Sequence, residues 1–344
     1  MNYGIYMLNE IKETPGVIKN IFFRNKDHLV EIADRITKFK PWFSMFVGRG
    51  SSDNACIYGQ YLFEYFVKIP SFLTTGSIYL LYRNPPVYNK GLIVAISQSG
   101  ETDDVLKISE YAHKMNNFIL GMTNIENSSL HKIVKENTIF LSAGKEASIC
   151  ATKSFTASLL NVLLLAGFLS SKHVNLDDVL RPVEYVLSKE RDINELAQFY
   201  TFSSNLVVLG TGFSYSIALE TALKLKESCY VKSIGLSSID FLHGPIAMLS
   251  KGDPIIVFAP GDETASLSQE VLEAIKETGA HILVVSDEDK LCSFGNLCFR
   301  LQKVENFLYP FAEVVFAQLF SYYLSLSKAI DPDKPRYLRK VTRI

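Results

Sequence analysis

An internal repeat constrains the fold of this sequence more than any other feature. A glycine-rich turn at 46–52 (FVGRGSS) recurs at 208–214 (VLGTGFS), and a helix-like run follows each turn. Downstream, the segment LIVAISQSGET at 92–102 has a counterpart, PIIVFAPGDET, at 254–264. A third strand-like run, at 118–123, also has a counterpart 162 residues later, the same offset as the other two. One offset shared by three elements predicts that the chain contains two copies of one structural unit.

Each copy alternates short apolar runs with amphipathic runs of helical period. This alternation is typical of parallel strands whose two faces are covered by helices. The fold class predicted is therefore α/β, with two tandem doubly wound, flavodoxin-like parallel-sheet domains related by duplication. Ligands of such domains bind beyond the carboxyl ends of the strands. Both glycine-rich turns and the loop 97–102 are predicted to lie there.

Smaller segments surround the two copies. Thr14 and Pro15 form an N-cap followed by proline at the first helical position, which predicts a helix up to about Phe39. The carboxyl tail is broken by prolines and is predicted to extend over the surface. The predicted organisation is a helical segment at 1–39, a first domain at 40–180, a linker helix at 181–201, a second domain at 202–330 and a tail at 331–344 that carries Lys340.

Charge and apolar patterning exclude several classes of partner. The 344 residues include 35 Lys and Arg and 36 Asp and Glu, so no broad positive field exists to hold nucleic acid or an anionic membrane. The longest apolar stretch, at 155–169, is shorter than the ~20 residues of a membrane span and predicts a helix buried on all sides. No nucleic-acid partner and no membrane association are expected.

Cysteine usage and the amino terminus indicate the compartment. The five cysteines are scattered and form no CxxC pair, which predicts free thiols in a reducing environment. Residues 1–10 lack a basic region followed by an apolar core, so no secretory signal is predicted. The expected location is cytoplasmic.

A phosphate site is predicted in the first copy. The loop SQSGET at 97–102 follows an apolar strand and opens a helix, where free backbone N–H groups and hydroxyls can hold a phosphate. Gly100 allows close backbone approach. The alternative is ordinary N-capping by serine and threonine. The side chains that could bind the phosphate are Ser97, Ser99 and Thr102, with Ser51 and Ser52 at the neighbouring strand end.

The second copy distinguishes these two interpretations. Its corresponding loop carries Ala259 without a hydroxyl, Pro260 without an N–H, and Asp262, which repels an anion. Capping therefore persists in both copies, whereas anion-binding chemistry persists in only one. We assign phosphate binding to the first copy.

Candidate catalytic groups lie in the second copy. Helical spacing places Glu220, Lys224 and Glu227 on one face, where a carboxylate beside a lysine can exchange protons with a substrate if water is excluded. The alternative is a solvated face of salt bridges. His243 precedes Gly244 and Pro245 on a predicted rigid loop, and a lone loop histidine is more often structural than catalytic.

Taken together, these segments resemble a known family of sugar isomerase (SIS) domains. The similarity is to the isomerase half of glucosamine-6-phosphate synthase and to its stand-alone relatives, the glucosamine-6-phosphate deaminases. It covers nearly the whole chain, and no glutamine-hydrolysing domain is expected before it. Ala151, where the synthases carry serine, and Arg49 suit the stand-alone branch better. The matching segments are 7–18 with Glu10, Ile11 and Pro15, 48–54, 97–102, 151–155, 222–227, 243–245 and 331–342.

The resemblance implies a role for each matching residue. Glu227 would move a proton between C2 and C1 of the sugar, with Lys224 tuning the site. His243 would assist ring opening, and Lys340 would meet the open-chain carbonyl as a Schiff-base or orienting amine. The phosphate and sugar hydroxyls would be held by Ser51, Ser52, Ser97, Gln98, Ser99 and Thr102.

The implied reaction is deamination of glucosamine 6-phosphate to fructose 6-phosphate and ammonia, without metal or other cofactor. The resemblance also implies a homodimer with shared active sites, in which the neighbouring subunit provides the histidine. The apolar runs at 155–169 and 307–326 point the same way, because they suggest more buried surface than two small domains need. The alternatives are a fructosamine-6-phosphate deglycase, another phosphosugar isomerase, and a non-catalytic sugar-phosphate sensor. The residues before the first copy show no basic helix-turn-helix pattern, which disfavours the sensor.

Overall fold

The computed structural model describes residues 3–340, which fold as two compact units. The first-repeat unit consists of Gly16–Glu146, Lys153–Leu176, Arg339 and Lys340. The second-repeat unit consists of residues 3–15, Ala147–Thr152 and Asp177–Leu338. Each copy of the sequence repeat therefore forms the centre of one unit.

The strands and helices alternate along the chain as the apolar pattern predicts. The strands are β1 Phe43–Val47, β2 Ser71–Leu73, β3 Gly91–Ile96, β4 Phe118–Thr123, β5 Thr138–Phe140, β6 Asn205–Gly210, β7 Lys232–Ser237, β8 Pro254–Phe258, β9 His281–Ser286 and β10 Leu297–Arg300. The helices are α1 Ile5–Lys12, α2 Thr14–Arg24, α3 Lys26–Phe39, α4 Ser51–Leu62, α5 Gly76–Leu80, α6 Asp103–Lys114, α7 Ser129–Val134, α8 Lys153–Ser170, α9 Leu176–Ser188, α10 Glu190–Gln198, α11 Tyr215–Cys229, α12 Ser238–Leu242, α13 Ala265–Thr278, α14 Asp289–Cys292 and α15 Tyr309–Ser327.

Each unit contains a five-stranded sheet, and the two sheets have the same topology. The first-repeat sheet has the order β2-β1-β3-β4-β5 and the second has the order β7-β6-β8-β9-β10, and all pairs are parallel. Every residue of β3 is buried, as expected for a central strand covered on both faces. The predicted doubly wound α/β class and the duplication are confirmed. In this strand order the crevice for a ligand lies between β1 and β3 in one unit and between β6 and β8 in the other.

Two long apolar helices form the core of their own units. By length and composition α8 could cross a membrane, but 83% of it is buried inside the protein, as in a core helix. It packs against α3 and α4 of the first-repeat unit, while α15 packs against α10 and α11 of the second. The predicted burial is confirmed for 155–167, and residues 168 and 169 are half-buried. These apolar runs are covered within the chain, so they do not by themselves require a partner subunit.

Two helices predicted as continuous are interrupted. The helix expected from Thr14 to Phe39 breaks at Asn25, whose buried side-chain amide donates to the Phe140 carbonyl at 2.7 Å and to Asn161 Oδ1 at 2.7 Å. The expected linker helix is two helices, α9 and α10, separated at Lys189. In the first case, long-range hydrogen bonds of the Asn25 side chain stabilise the break, and the local sequence does not show them.

The prediction that all five thiols are free is wrong for two of them. Cys292, at the end of α14, is bonded to Cys298 in β10 with their Cα atoms 5.5 Å apart. The turn between these elements brings the two residues within disulfide distance, although their spacing is not that of a CxxC pair. The other three, Cys56, Cys150 and Cys229, are buried free thiols.

Candidate active site

In the first-repeat unit, the loop 97–102 runs from β3 to the start of α6. Gly100 has a φ of +67°, and a side chain there would bring a Cβ within 2.3 Å of Ser128 Oγ, so only glycine fits. Ser97 Oγ lies 3.0 Å from Thr102 Oγ1 and accepts the Gly100 N–H at 3.1 Å. The loop thus turns its hydroxyls back toward the strand end.

The neighbouring strand end supplies the other predicted phosphate ligands. Ser51 and Ser52 open α4, which follows β1, and β1 is hydrogen-bonded to β3. Both strand ends therefore border the crevice where the strand order reverses. Ser97 is buried, and the other five are half-buried. The structure brings all six predicted ligands, Ser51, Ser52, Ser97, Gln98, Ser99 and Thr102, to one edge of one sheet.

In the second-repeat unit, carboxylates accept hydrogen bonds from the N–H and hydroxyl groups of the corresponding loop. Asp262 Oδ1 accepts the Thr264 N–H at 2.8 Å and the Thr264 hydroxyl at 2.6 Å. Asp287 Oδ1 accepts the Gly261 N–H at 2.7 Å. These donors at the start of α13 are satisfied internally by negative groups. This arrangement supports the assignment of phosphate binding to the first copy alone.

A third carboxyl group lies beside this acidic loop. Glu313 in α15 is fully buried and accepts a hydrogen bond from the Ser214 hydroxyl at 2.8 Å. Burial raises the pKa of Glu313 to about 8; the Ser214 hydrogen bond acts to lower it, and the charges of Asp262 and Asp287 act to raise it. The folded protein therefore favours the protonated, neutral form of this group.

This burial predicts that stability depends on pH through Glu313. The pKa of Glu313 is higher in the folded than in the unfolded chain, so its contribution to stability is complete below the ordinary glutamate pKa of 4.5 and is lost as pH rises to about 8. We expect Glu313→Gln to remove the dependence and to stabilise the protein at pH 8 by up to about 5 kcal/mol. Unfolding curves from pH 5 to pH 9 measure this effect, with exposed Glu273→Gln as control. An equal gain at every pH would contradict the prediction.

The predicted catalytic face of α11 lies in the interior of the second-repeat unit. Lys224 Nζ donates to Glu227 Oε2 at 2.7 Å and lies 3.5 Å from Glu220 Oε1. The side chains of Lys224 and Glu220 are each 1% exposed, and that of Glu227 is 23% exposed. The alternative of a solvated salt-bridge face is therefore wrong, because α11 packs between β7 and α15.

Electrostatics divide the roles of these three residues. Burial alone lowers the pKa of Lys224, but the charges of Glu227 and Glu220 outweigh it and hold that pKa above its ordinary value. Lys224 therefore remains an ammonium group and is not a proton donor. Glu227, the most exposed of the three side chains, accepts a hydrogen bond from this ammonium group. Glu227 is suited to act as a general base.

The structure adds a residue that the sequence analysis missed. Cys150 lies buried in the loop 147–152, and the charges of Lys224, Glu227 and Glu220 act on its thiol. Burial raises the pKa of Cys150 to about 12, and although Lys224 lowers it, Glu227 and Glu220 raise it. Cys150 is thus held as a neutral thiol. No periodicity or motif in the sequence marks it, because the charged groups that act on it are far from it along the chain.

The tail lysine has a partner in the first-repeat unit that was also missed. Lys340 Nζ donates to Glu146 Oε2 at 2.7 Å, and Ser154 donates to the same carboxyl group from its N–H at 3.0 Å and its hydroxyl at 2.7 Å. Burial acts to raise the pKa of Glu146, but the charge and hydrogen bond of Lys340 lower it below its usual range. The end of the described chain is fixed by this pair. The last residues of the predicted tail, 341–344, lie outside the described residues.

His243 lies on a turn, as the sequence predicts. It follows α12, its backbone N–H donates to the Asp240 carbonyl at 3.1 Å, and Gly244 has a φ of +143°. The His243 side chain is exposed, whereas the side chains of Glu220 and Lys224 in α11 are buried. A role for it remains a proposal.

Comparison with known families agrees with this pair of sheets and loops. A family model described as the SIS domain matches residues 44–167 and again residues 200–328. The chain belongs to the SIS-domain family. Its two SIS repeats each contain the complete parallel sheet of one unit, which explains the constant offset in the sequence.

Several known proteins are similar to nearly the whole chain. The chain is 31% identical over 350 residues to the glutamine–fructose-6-phosphate aminotransferase (isomerizing) of Thermococcus kodakarensis, covering 98% of this chain and 58% of that protein. It is 32% identical to the enzyme of the same name from Pyrococcus horikoshii, with 98% and 57% coverage. The SIS chain thus spans a little over half the length of these relatives.

Solved structures superpose over nearly the whole chain. The C-terminal domain of glucosamine-fructose-6-phosphate aminotransferase from Francisella tularensis is 27% identical, with a TM-score of 0.86 and coverage of 97% of this chain and 99% of that one. The glucosamine-6-phosphate deaminase of Thermotoga maritima is 23% identical, with a TM-score of 0.72 and coverage of 97% and 98%. The latter likeness concerns the fold alone.

Proposed function

We propose that this chain is a phosphosugar isomerase and that its reaction is the deamination of glucosamine 6-phosphate. The observation that carries the proposal is the buried Lys224–Glu227 pair, with its 2.7 Å contact and its one accessible carboxylate. Proton transfer between adjacent carbons of an open-chain sugar needs one such base in a sheltered place. The SIS-domain fold and the names of the similar proteins support a phosphorylated amino sugar as the substrate class.

The proposed reaction uses Glu227 twice. After the sugar ring opens, Glu227 removes the C2 proton and an enolamine forms. Return of the proton to C1 gives a ketimine, which water hydrolyses to fructose 6-phosphate and ammonia. Lys224 stabilises the carboxylate by charge. The aldehyde of the open-chain substrate itself makes the C2 proton acidic.

The first-repeat unit contributes binding in this proposal. The hydroxyls of Ser51, Ser52, Ser97, Ser99 and Thr102 hold the phosphate, and Gln98 holds a sugar hydroxyl. Donors at the start of a helix suit this task, because they stabilise negative charge without a basic side chain. Lys340, ordered by Glu146, meets the open-chain carbonyl.

The proposal includes a homodimer in which His243 of each subunit serves the other. The resemblance of the HGP segment at 243–245 to the synthase family supports this arrangement. The exposure of His243 and its position on a turn fit a residue that acts outside its own unit. A twofold interface presents the same loop from each subunit, so two sites would be completed at once.

A second candidate is the isomerising step of an aminotransferase, in which a ketose phosphate receives ammonia and becomes an amino aldose phosphate. The similarity of 98% of the chain to aminotransferases described as isomerizing favours it. Both candidates use the same proton transfer and differ in net direction. A deglycase acting on a phosphorylated sugar–amino acid adduct remains the third.

The test is incubation of the purified protein with glucosamine 6-phosphate. We expect release of ammonia and fructose 6-phosphate in equal amounts, together with deuterium exchange at C2 in heavy water. Exchange without ammonia release, with glucosamine 6-phosphate formed from fructose 6-phosphate and ammonium, would favour the aminotransferase-type reaction. Turnover of fructosamine 6-phosphate alone would identify a deglycase. Absence of exchange and turnover with every substrate would reject an isomerase function.

A further inference from the structure

An ion pair joins the two segments that carry the proposed phosphate ligands. Arg49 lies in the turn after β1, and its Nε is paired with Asp104 Oδ2 in the first turn of α6. Arg49 Nη1 also donates to the Gly48 carbonyl at 2.8 Å, so the guanidinium is folded back over its own turn. Neither member of the pair has a role in the proposed chemistry. The pair connects the turn after β1 to the helix that follows the loop 97–102.

Both members of the pair are close in sequence to proposed phosphate ligands. The Arg49 carbonyl accepts the Ser52 N–H at 3.2 Å. Asp104 comes two residues after Thr102, and its Oδ1 accepts the Val105 N–H at 3.0 Å. The ion pair is therefore placed to fix the separation between the hydroxyls of the turn and those of the loop 97–102.

The surroundings of the pair favour this one arrangement. The Asp104 side chain is only 13% exposed and that of Arg49 is 39% exposed, so water screens the pair less than it screens an ion pair on an open surface. A Cβ on buried Gly76, the first residue of α5, would overlap Arg49 Nη2 and would lie 3.0 Å from Asp104 Oδ2. Glycine at position 76 therefore leaves the space that the guanidinium fills.

The second repeat lacks the pair and the space for it. At the offset of 162 residues, the counterparts of Arg49, Asp104 and Gly76 are Thr211, Ser266 and Ser238. No ion pair can form between a threonine and a serine. A pair that served only the stability of the sheet would be useful in both repeats. Its presence in the repeat to which phosphate binding is assigned indicates a role in that site.

We propose that Arg49 is a positioning residue of the phosphate site, whose ion pair with Asp104 holds the hydroxyls of the turn 48–52 at the right distance from those of the loop 97–102. Donors that are already in place bind more tightly, because no free energy is lost in ordering them. The inference rests on the proposed function, since these hydroxyls are phosphate ligands only there. Arg49 acts through the two segments and does not itself bind the phosphate.

Replacement of Asp104 distinguishes positioning from direct binding of the phosphate by Arg49. If Arg49 bound the phosphate, Asp104→Asn would remove a negative charge near the anion and strengthen binding. If the pair positions the hydroxyls, Asp104→Asn should weaken the binding of inorganic phosphate and of glucosamine 6-phosphate about five- to tenfold. Asp103→Asn removes the same charge from the same helical turn without breaking the pair, and it should not weaken binding. Calorimetric titration measures the affinities, and unchanged or tighter binding by Asp104→Asn would overturn the proposal.

A double-mutant cycle tests whether the two residues act as one unit. Arg49→Ala should also weaken the binding of both phosphate ligands, and the variant with both changes should bind no more weakly than the weaker single variant. The reason is that each change removes the same interaction. Losses that multiply in the double variant would show that Arg49 and Asp104 act separately, which contradicts the proposal.

Gly76→Ala shifts the ion pair without changing any charge. The added methyl displaces the flexible end of the Arg49 side chain, which can move without unfolding the protein. We expect at least about a threefold loss of phosphate affinity in the wild-type background and none in the Arg49→Ala background. Gly16→Ala in α2, where a Cβ meets no atom within 4 Å, is the matched control. An equal loss in both backgrounds would overturn the proposal.

The same measurements separate this inference from the proposed reaction. Thermal melting curves show that each variant is folded before its affinity is compared. A wild type that binds both phosphate ligands but exchanges no C2 proton on any substrate would reject the reaction, while the affinities of the variants still decide the role of Arg49. A wild type that binds neither phosphate ligand would overturn the positioning role as well.

Discussion

Glu227→Gln is expected to bind the sugar phosphate with nearly wild-type affinity and to lose about a thousandfold of the C2 exchange rate. The amide has the shape of the carboxylate and can still accept the hydrogen bond that Lys224 now donates at 2.7 Å. It cannot accept a proton, and removal of a general base costs about 10²- to 10⁴-fold in rate. Calorimetric titration measures the affinity, and NMR in heavy water measures the exchange.

The control for this experiment is a glutamate that shares the charge but not the position. Glu277, exposed in α13, is changed to glutamine in the same way, and no loss of exchange is expected. If Glu227→Gln exchanges at close to the wild-type rate, another group is the base. Thermal melting curves of the wild type and both variants show whether Glu227→Gln is folded. The exchange rates are then compared at a temperature where all three proteins are folded.

The double variant Ser99→Ala, Thr102→Ala is expected to weaken the binding of glucosamine 6-phosphate about 100-fold. A hydrogen bond to a charged group contributes about 1.5–3 kcal/mol, and the variant removes two proposed phosphate donors at the start of α6. Asp262→Ala, at the corresponding loop of the other repeat, should change the affinity less than about threefold, because its carboxylate already binds the Thr264 N–H and hydroxyl.

Calorimetry with two ligands separates phosphate binding from a general loss of structure. The double variant should lose affinity for glucosamine 6-phosphate but not for glucosamine, which lacks the phosphate. An equal loss for both ligands would mean that the loop shapes the sugar site. Equal effects of the double variant and of Asp262→Ala would contradict the assignment of phosphate binding to the first repeat.

The sequence by itself determined the fold class and the duplication. Strand placement follows from short apolar runs, and β3 and β8 lie where the segments 92–102 and 254–264 place them. Loop chemistry is equally local, because the glycine and the hydroxyl residues before α6 lie within six residues of one another. The structure gives that glycine, Gly100, a φ of +67°. Helical spacing also placed Glu220, Lys224 and Glu227 on one face, because the period of a helix is fixed by its backbone.

Only the tertiary structure decided whether that face meets water. Spacing is the same for a solvated salt-bridge face and for a buried cluster, and the packing of α15 and β7 around α11 makes it buried. The sequence also does not show which residues the charged groups bind. Glu146 and Lys340 are 194 residues apart in the chain, and Glu10 and Thr152 are 142 apart. Patterning reports the local period and average polarity of a segment. Burial, charge pairing and disulfide formation depend on which distant segments the fold brings together, because desolvation and Coulomb interactions are set by distance in space and not along the chain.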